Sequence, residues 1–196
     1  MPRFGETERE VLKAKLLMEG ERLFSTFGVK KVSIDELAGA AGIAKGSFYS
    51  FYPSKEQLFL EIVFSMQKKM WAELDAYIQE HSKLPPRDLM KQAFMWTLEQ
   101  TERYPIFRMM DSETMEYLVR KVPGDVLAAH THDDSATLTK FLEYGIRFAY
   151  EIPTIAKIMQ TLSMCYFNLM QEDRTERMAL MGIIMDGVLK EIVAND

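Results

Sequence analysis

Apolar residues return every three or four positions along most of this chain, and nowhere do they alternate with polar ones in the two-residue rhythm of a half-buried strand. The pattern predicts an all-α protein. A first helix is expected from about Thr7 to Phe27. Val11, Leu12, Ala14, Leu16, Met18 and Leu23 give it an apolar stripe, Phe24 and Phe27 seal its end, and Gly28 stops it. A short helix then follows Ser33, with Ile34, Leu37, Ala38 and Ala41 at helical spacing, and Gly42 is the natural residue to end it in a left-handed turn. A second short helix is expected over Ala44–Phe51. From Ser54 the pattern runs without a breaker to about His81, roughly 40 Å of helix. Lys83-Leu84-Pro85-Pro86 interrupts it, and the next helix ends near Arg103. Pro105, Pro123-Gly124 and Pro153 punctuate the rest into helices near Pro105–Val119, Gly124–His130, Ser135–Tyr150, Pro153–Met170 and Arg174–Val193.

Within this series the segment from Ser33 to Phe59 carries the most chemistry. Ser33 and Glu36 have the spacing of a capping box, in which the hydroxyl accepts the third helical amide and the glutamate reaches back. Two short helices across a glycine turn are the plan of a helix-turn-helix, whose second helix enters the DNA major groove; the plainer reading is a helical hairpin. Ser54 and Gln57 repeat the capping-box spacing. Lys55 then falls at the first helical position, where the helix dipole disfavours a cation. A phosphate bound there by the ammonium and the free amides would reverse that penalty.

The residues Leu23-Phe24, Phe27-Gly28, Ser33–Gly42, Lys45-Gly46-Ser47-Phe48-Tyr49, Pro53-Ser54-Lys55 and Leu58-Phe59 together resemble the DNA-binding domain of the TetR family of transcriptional regulators. The resemblance covers about a quarter of the chain. It implies a helix-turn-helix head over residues 1–53 and a helical ligand-binding and dimerisation body over 54–196. It also implies a homodimer on a palindromic operator, released by a small effector, and most relatives repress. Lys45, Ser47 and Tyr49, with Gly46 between them, fall where family members commonly meet DNA. Lys30, Lys31, Ser33, Tyr52 and Lys55 complete the expected DNA-binding set. Two positions depart from the pattern: Ala44 stands where Ser or Thr often caps the recognition helix, and Phe51 where His or Tyr often touches the DNA backbone.

Charge sharpens this picture. The whole chain carries −5, but residues 1–55 hold nine basic against seven acidic side chains, a balance of +2. The basic excess therefore sits with the motif, and so small an excess leaves DNA binding to a few placed side chains and backbone amides. A lone Cys165 excludes an internal disulfide and fits a reducing cytoplasm, where the protein is expected. No apolar run suits a transmembrane helix, and the opening residues lack the apolar core of a signal peptide. No nucleophile elbow, zinc-protease, phosphate-loop or dinucleotide motif occurs, so neither an enzyme nor a cofactor is expected. His130, His132, Asp133 and Asp134 could approach a metal, but spacing supplies no third ligand, and no metal is assigned.

The body is expected to hold the effector and the partner. Fifteen methionines, most beyond residue 60, and several aromatics suit a pliable apolar pocket. Met70, Trp96, Phe107, Tyr117, Phe148 and Tyr166 are its candidates; core packing explains the same residues. Met159, Phe167, Met178, Met181, Met185 and Val188 are expected at a two-fold interface of the last two helices, because their apolar surface is wider than one neighbour covers. The competing function is a helical ligand carrier or enzyme that keeps the head only as scaffold. Salt-dependent operator binding separates the two.

Overall fold

The computed structural model describes residues 5–170 and 172–194, with all of their side chains except those of 128–134. The helices are α1 (Glu6–Lys31), α2 (Ile34–Ala41), α3 (Lys45–Phe48), α4 (Lys55–Glu80), α5 (Pro86–Thr101), α6 (Ser112–Lys121), α7 (Gly124–Glu143), α8 (Ile152–Asn168) and α9 (Arg174–Ile192). A 3-10 turn, Pro105–Met109, lies between α5 and α6. No strand occurs among the described residues; one isolated antiparallel bridge joins Phe148 and Val193.

Helix limits follow local chemistry. Gly28, at φ 76°, breaks α1 where a stop was expected. Asp111 caps α6 by accepting the Thr114 amide at 2.7 Å, and Asp173 caps α9 through the amides of Thr175 and Glu176. The helix expected from Pro105 therefore divides at Asp111. Conversely, α7 runs unbroken where a loop was expected after His130. No Gly or Pro stands between Asp125 and Glu143, and a polar run suits a solvated helix as well as a loop. Gly145, at φ 81°, ends that segment.

Contacts divide the chain into two units. The first takes the chain up to Met66 together with Tyr104–Val122, and the second takes Gln67–Arg103 and Pro123 onward. The boundary drawn after residue 53 follows the motif, whereas contacts give the first half of α4, the 3-10 turn and α6 to the head unit. The reason is burial: Leu58, Phe59, Ile62 and Val63 of α4 and Ile106, Phe107 and Leu118 beyond it belong to the same unit as Leu16, Leu23 and Phe24 of α1. Phe24 and Phe59 meet edge to face at 5.4 Å. Gly20 permits the close approach, since a Cβ there would lie 2.9 Å from Ile62 Cδ1. Phe27, expected to seal α1, is instead exposed.

The second unit builds its core from Leu74, Ile78, Leu89, Met90, Phe94, Leu98, Phe141, Ile155, Leu162, Tyr166, Met181, Met185 and Leu189. One buried charge crosses it. Arg177 of α9 donates to Glu102 Oε1 at 2.6 Å and to the Glu172 carbonyl at 3.0 Å, and its guanidinium lies 5.0 Å from the Tyr166 ring centre. Glu102 also accepts from Tyr166 at 3.2 Å and from Arg174 at 3.1 Å. Burial works to raise the Glu102 carboxyl, but the hydrogen bonds from Arg177 and Tyr166 and the two arginine charges hold it below the ordinary glutamate range.

Candidate nucleic-acid interface

The helix-turn-helix forms as its sequence dictates. Ser33 Oγ accepts the Glu36 amide at 3.2 Å while the Ser33 amide donates to Glu36 Oε2 at 2.7 Å. The Ser33 hydroxyl also donates to that carboxylate at 2.7 Å, which holds Glu36 below its usual range. Ser33 thus spends its hydroxyl proton on the cap. Gly42 takes the left-handed conformation, φ 74°, and the Ile43 amide closes the turn on the Ala38 carbonyl at 2.9 Å.

The second helix is shorter than expected. Regular α-helix covers Lys45–Phe48, and the winding continues through hydrogen bonds from Ser50 to Ser47 and from Phe51 and Tyr52 to Phe48. Ala44 gives it no side-chain cap. Phe48 is fully buried and fixes the roll of the helix, so Lys45, Gly46 and Tyr49 are exposed with Ser47 half-buried beside them; Tyr49 is 51% exposed. Arg9 holds the far end: its guanidinium donates to the Ser50 carbonyl at 2.7 Å and stacks 4.8 Å from the Phe51 ring centre. Arg9 was invisible to local spacing because it acts across 41 residues.

The candidate cations have company. Lys45 Nζ donates to Asp35 Oδ2 at 2.7 Å, and that bond raises the ammonium above the ordinary lysine range. Lys30 pairs with Glu113 at 2.6 Å. Lys55 donates to the carbonyls of Val32 at 2.6 Å and Lys30 at 3.1 Å, so it stabilises the end of α1 as well as standing at the start of α4. The Gln57 amide donates to Ser54 Oγ at 3.3 Å, which is the serine half of the expected second capping box. Lys31 is exposed. Tyr52 is a correction: only 4% of it is exposed, and its ring packs 6.1 Å from that of Phe48. Its hydroxyl is buried and has no hydrogen-bond partner among the described residues, and burial, then the nearby Glu61 carboxylate, push the phenol far upward.

Residues 16–62 match the family described as Bacterial regulatory proteins, tetR family. This match to the TetR family covers the helix-turn-helix head. The HTH-type transcriptional regulator AcrR of Shigella flexneri is 30% identical over 101 residues, 52% of this chain and 46% of that one. The HTH-type transcriptional repressor AcnR of Corynebacterium jeikeium is 32% identical over 76 residues, 39% and 40% of the two chains. The chain spans less than half the length of these curated relatives. A solved structure of RolR in complex with the ligand resorcinol is similar over 94% of this chain and 90% of that one, with a TM-score of 0.66 at 19% identity. That likeness shows the fold, and it extends well beyond the TetR head.

The candidates for an effector pocket divide between the two units. Phe107 and Tyr117 belong to the head unit, while Met70, Trp96, Phe148 and Tyr166 belong to the second. Phe107 packs on Tyr104, and Tyr117 donates to the buried Glu56 carboxylate; burial, then that bond, push the Tyr117 phenol up to about 12. In the second unit Met70 and Tyr166 are buried and Trp96 stacks on Tyr77 at 5.2 Å. The second unit has an open groove of about 310 Å³ between α4 and α7, lined by Asp75, Gln79, Lys140, Glu143 and Tyr144 among others. Met181 and Met185 are also corrected. Both are fully buried in the chain's own core, and Met159, Phe167, Met178 and Val188 pack half-buried against it. The opposite face of α9 exposes Leu180 (39%), Ile183 (70%) and Ile184 (38%). The side chains of the His130–Asp134 segment lie outside the described residues. No helix among the described residues is long and apolar enough to cross a membrane.

Proposed function

We propose that the chain is a homodimeric, ligand-responsive transcriptional repressor of the TetR type, working in the cytoplasm and catalysing no reaction. The carrying observation is the α3 surface: Phe48 buried beneath it, Lys45, Gly46 and Tyr49 exposed on it, and a capped helix beginning on each side at Ser33 and Ser54. Lys45 and Ser47 would meet base edges, and Tyr49, Lys31 and the amides at the start of α4 would meet phosphates. Lys30 and Lys55 would join them by exchanging Glu113 and part of the carbonyl coordination for phosphate.

The exposed stripe of Leu180, Ile183 and Ile184 supports pairing of α9 with its own copy across a two-fold axis. Gly187 continues that stripe with open space where a Cβ would stand. Two heads so joined would read half-sites one DNA turn apart, or a multiple of it. A small apolar or amphipathic effector in the second unit would shift the dimer away from the DNA-competent spacing, and the resorcinol bound by RolR and the repressor name of AcnR support that scheme. Retention of duplex by the full chain in a gel or anisotropy titration, weakening steeply with salt, tests the reading; a salt-insensitive, negligible affinity for every duplex tried overturns it.

A further inference from the structure

Resting on the DNA-binding reading, we propose that Asp35 is a specificity-determining residue that works as a unit with Lys45 to read one G·C pair of each half-site. Asp35 stands at the second position of α2 and Lys45 at the first of α3, so the turn at Gly42 brings an anion and a cation to one surface. Their polar atoms are 2.7 Å apart, and the two side chains are 65% and 54% exposed. A carboxylate there is costly for a purely electrostatic DNA binder, because it repels every phosphate that approaches Lys45.

The pair presents a donor beside an acceptor. A phosphate offers acceptors only, so it satisfies Lys45 while it opposes Asp35. The major-groove edge of a G·C pair offers both: guanine O6 and N7 accept, and cytosine N4 donates. Guanine O6 and cytosine N4 are themselves separated by a hydrogen bond, about 2.9 Å, which closely matches the Nζ to Oδ2 distance. Lys45 has three N–H groups. Two can reach O6 and N7 while the third stays on Asp35, whose remaining oxygen accepts from N4. An A·T pair has as many acceptors, adenine N7 and thymine O4, but the adenine N6 donor lies between them, so the ammonium cannot hold both while Asp35 accepts from a donor at the end of the row. Asp35 therefore lowers affinity for DNA in general and keeps it for the matching pair, which is how specificity is gained by a repulsive element.

The test selects bound sequences from a pool of random duplexes with the full-length protein, then repeats the selection with Asp35→Ala and Asp35→Asn after circular dichroism confirms their helicity. The wild type should require G·C at one symmetric position per half-site, with about a tenfold or greater loss when that pair is changed. Both variants should lose that preference while binding a scrambled duplex more tightly than wild type. A variant that keeps the full preference, or an Asp35-dependent position that selects A·T, overturns the assignment and leaves the DNA-binding reading standing. A wild type that selects no sequence and binds no duplex overturns both.

Discussion

Replacing Ile183 by glutamate should produce a folded monomer, whereas replacing Met181, two residues earlier on the same helix, should unfold the protein. In one protomer Ile183 is 70% exposed and Leu180 and Ile184 are about two-fifths exposed. Covering these three side chains on both partners removes roughly three whole aliphatic side chains from water, worth about 4–9 kcal/mol. Ile183 alone accounts for about 2–4 kcal/mol of that across the two copies. Its loss should raise the dimer dissociation constant roughly 30- to 1,000-fold, and two carboxylates meeting near the axis should raise it further. The isolated protomer should lose under about 0.5 kcal/mol, as surface changes do. Met181 is fully buried. A glutamate there forfeits about 2–5 kcal/mol of packing and leaves a charge without a partner, against a total stability of about 5–15 kcal/mol. Sedimentation velocity with circular dichroism reads both outcomes. Dimers of unchanged affinity for Ile183→Glu, or a well-folded monomer for Met181→Glu, would refute the assignment of the two faces.

Three further outcomes follow from the geometry. Lys55→Ala should flatten the salt dependence of DNA binding by about one unit per lost phosphate contact, and should also cost about 1 kcal/mol of stability through the carbonyls of Lys30 and Val32; a lower melting temperature with an unchanged salt slope would make the lysine purely structural. Arg177→Leu should destabilise the second unit by about 2–4 kcal/mol, at the lower end because Glu102 keeps Arg174. Since the Glu102 carboxyl titrates below the ordinary value of 4.5 when folded, the pair's contribution is complete above that pH and is lost as pH falls through the folded value, so wild type and variant should converge in urea melts in acid. An apolar effector that releases DNA must itself bind the DNA complex more weakly by the same factor, roughly 1–3 kcal/mol, and calorimetry giving equal affinities with and without DNA would uncouple the two.

The head was legible because its signals are local. Ser33 with Glu36, Gly42, and Ser54 with Gln57 each specify a backbone event within four residues, and each occurs where expected. Partners distant in sequence left no such trace: Arg9 on Ser50, Glu56 under Tyr117, and Glu102 against Arg177 depend on the fold being assembled. Helix α9 shows the limit of pattern reading. It is apolar around most of its circumference, so periodicity marks two candidate inward faces and burial alone separates Met181 from Ile183. Tyr52 was misplaced for a related reason, since a tyrosine after a short helix satisfies a core as readily as a phosphate.

The central claim, a pair of TetR heads that hold DNA with a few placed cations, is tested most directly by the salt dependence of duplex binding by the intact protein. Three phosphate-contacting cations per head, Lys30, Lys31 and Lys55, give about six neutralised phosphates per dimer and a slope of log affinity against log salt near −5. Such a slope, with a selected duplex held far more tightly than a scrambled one, is the predicted result; a slope near zero with no preference between the two duplexes would contradict the account.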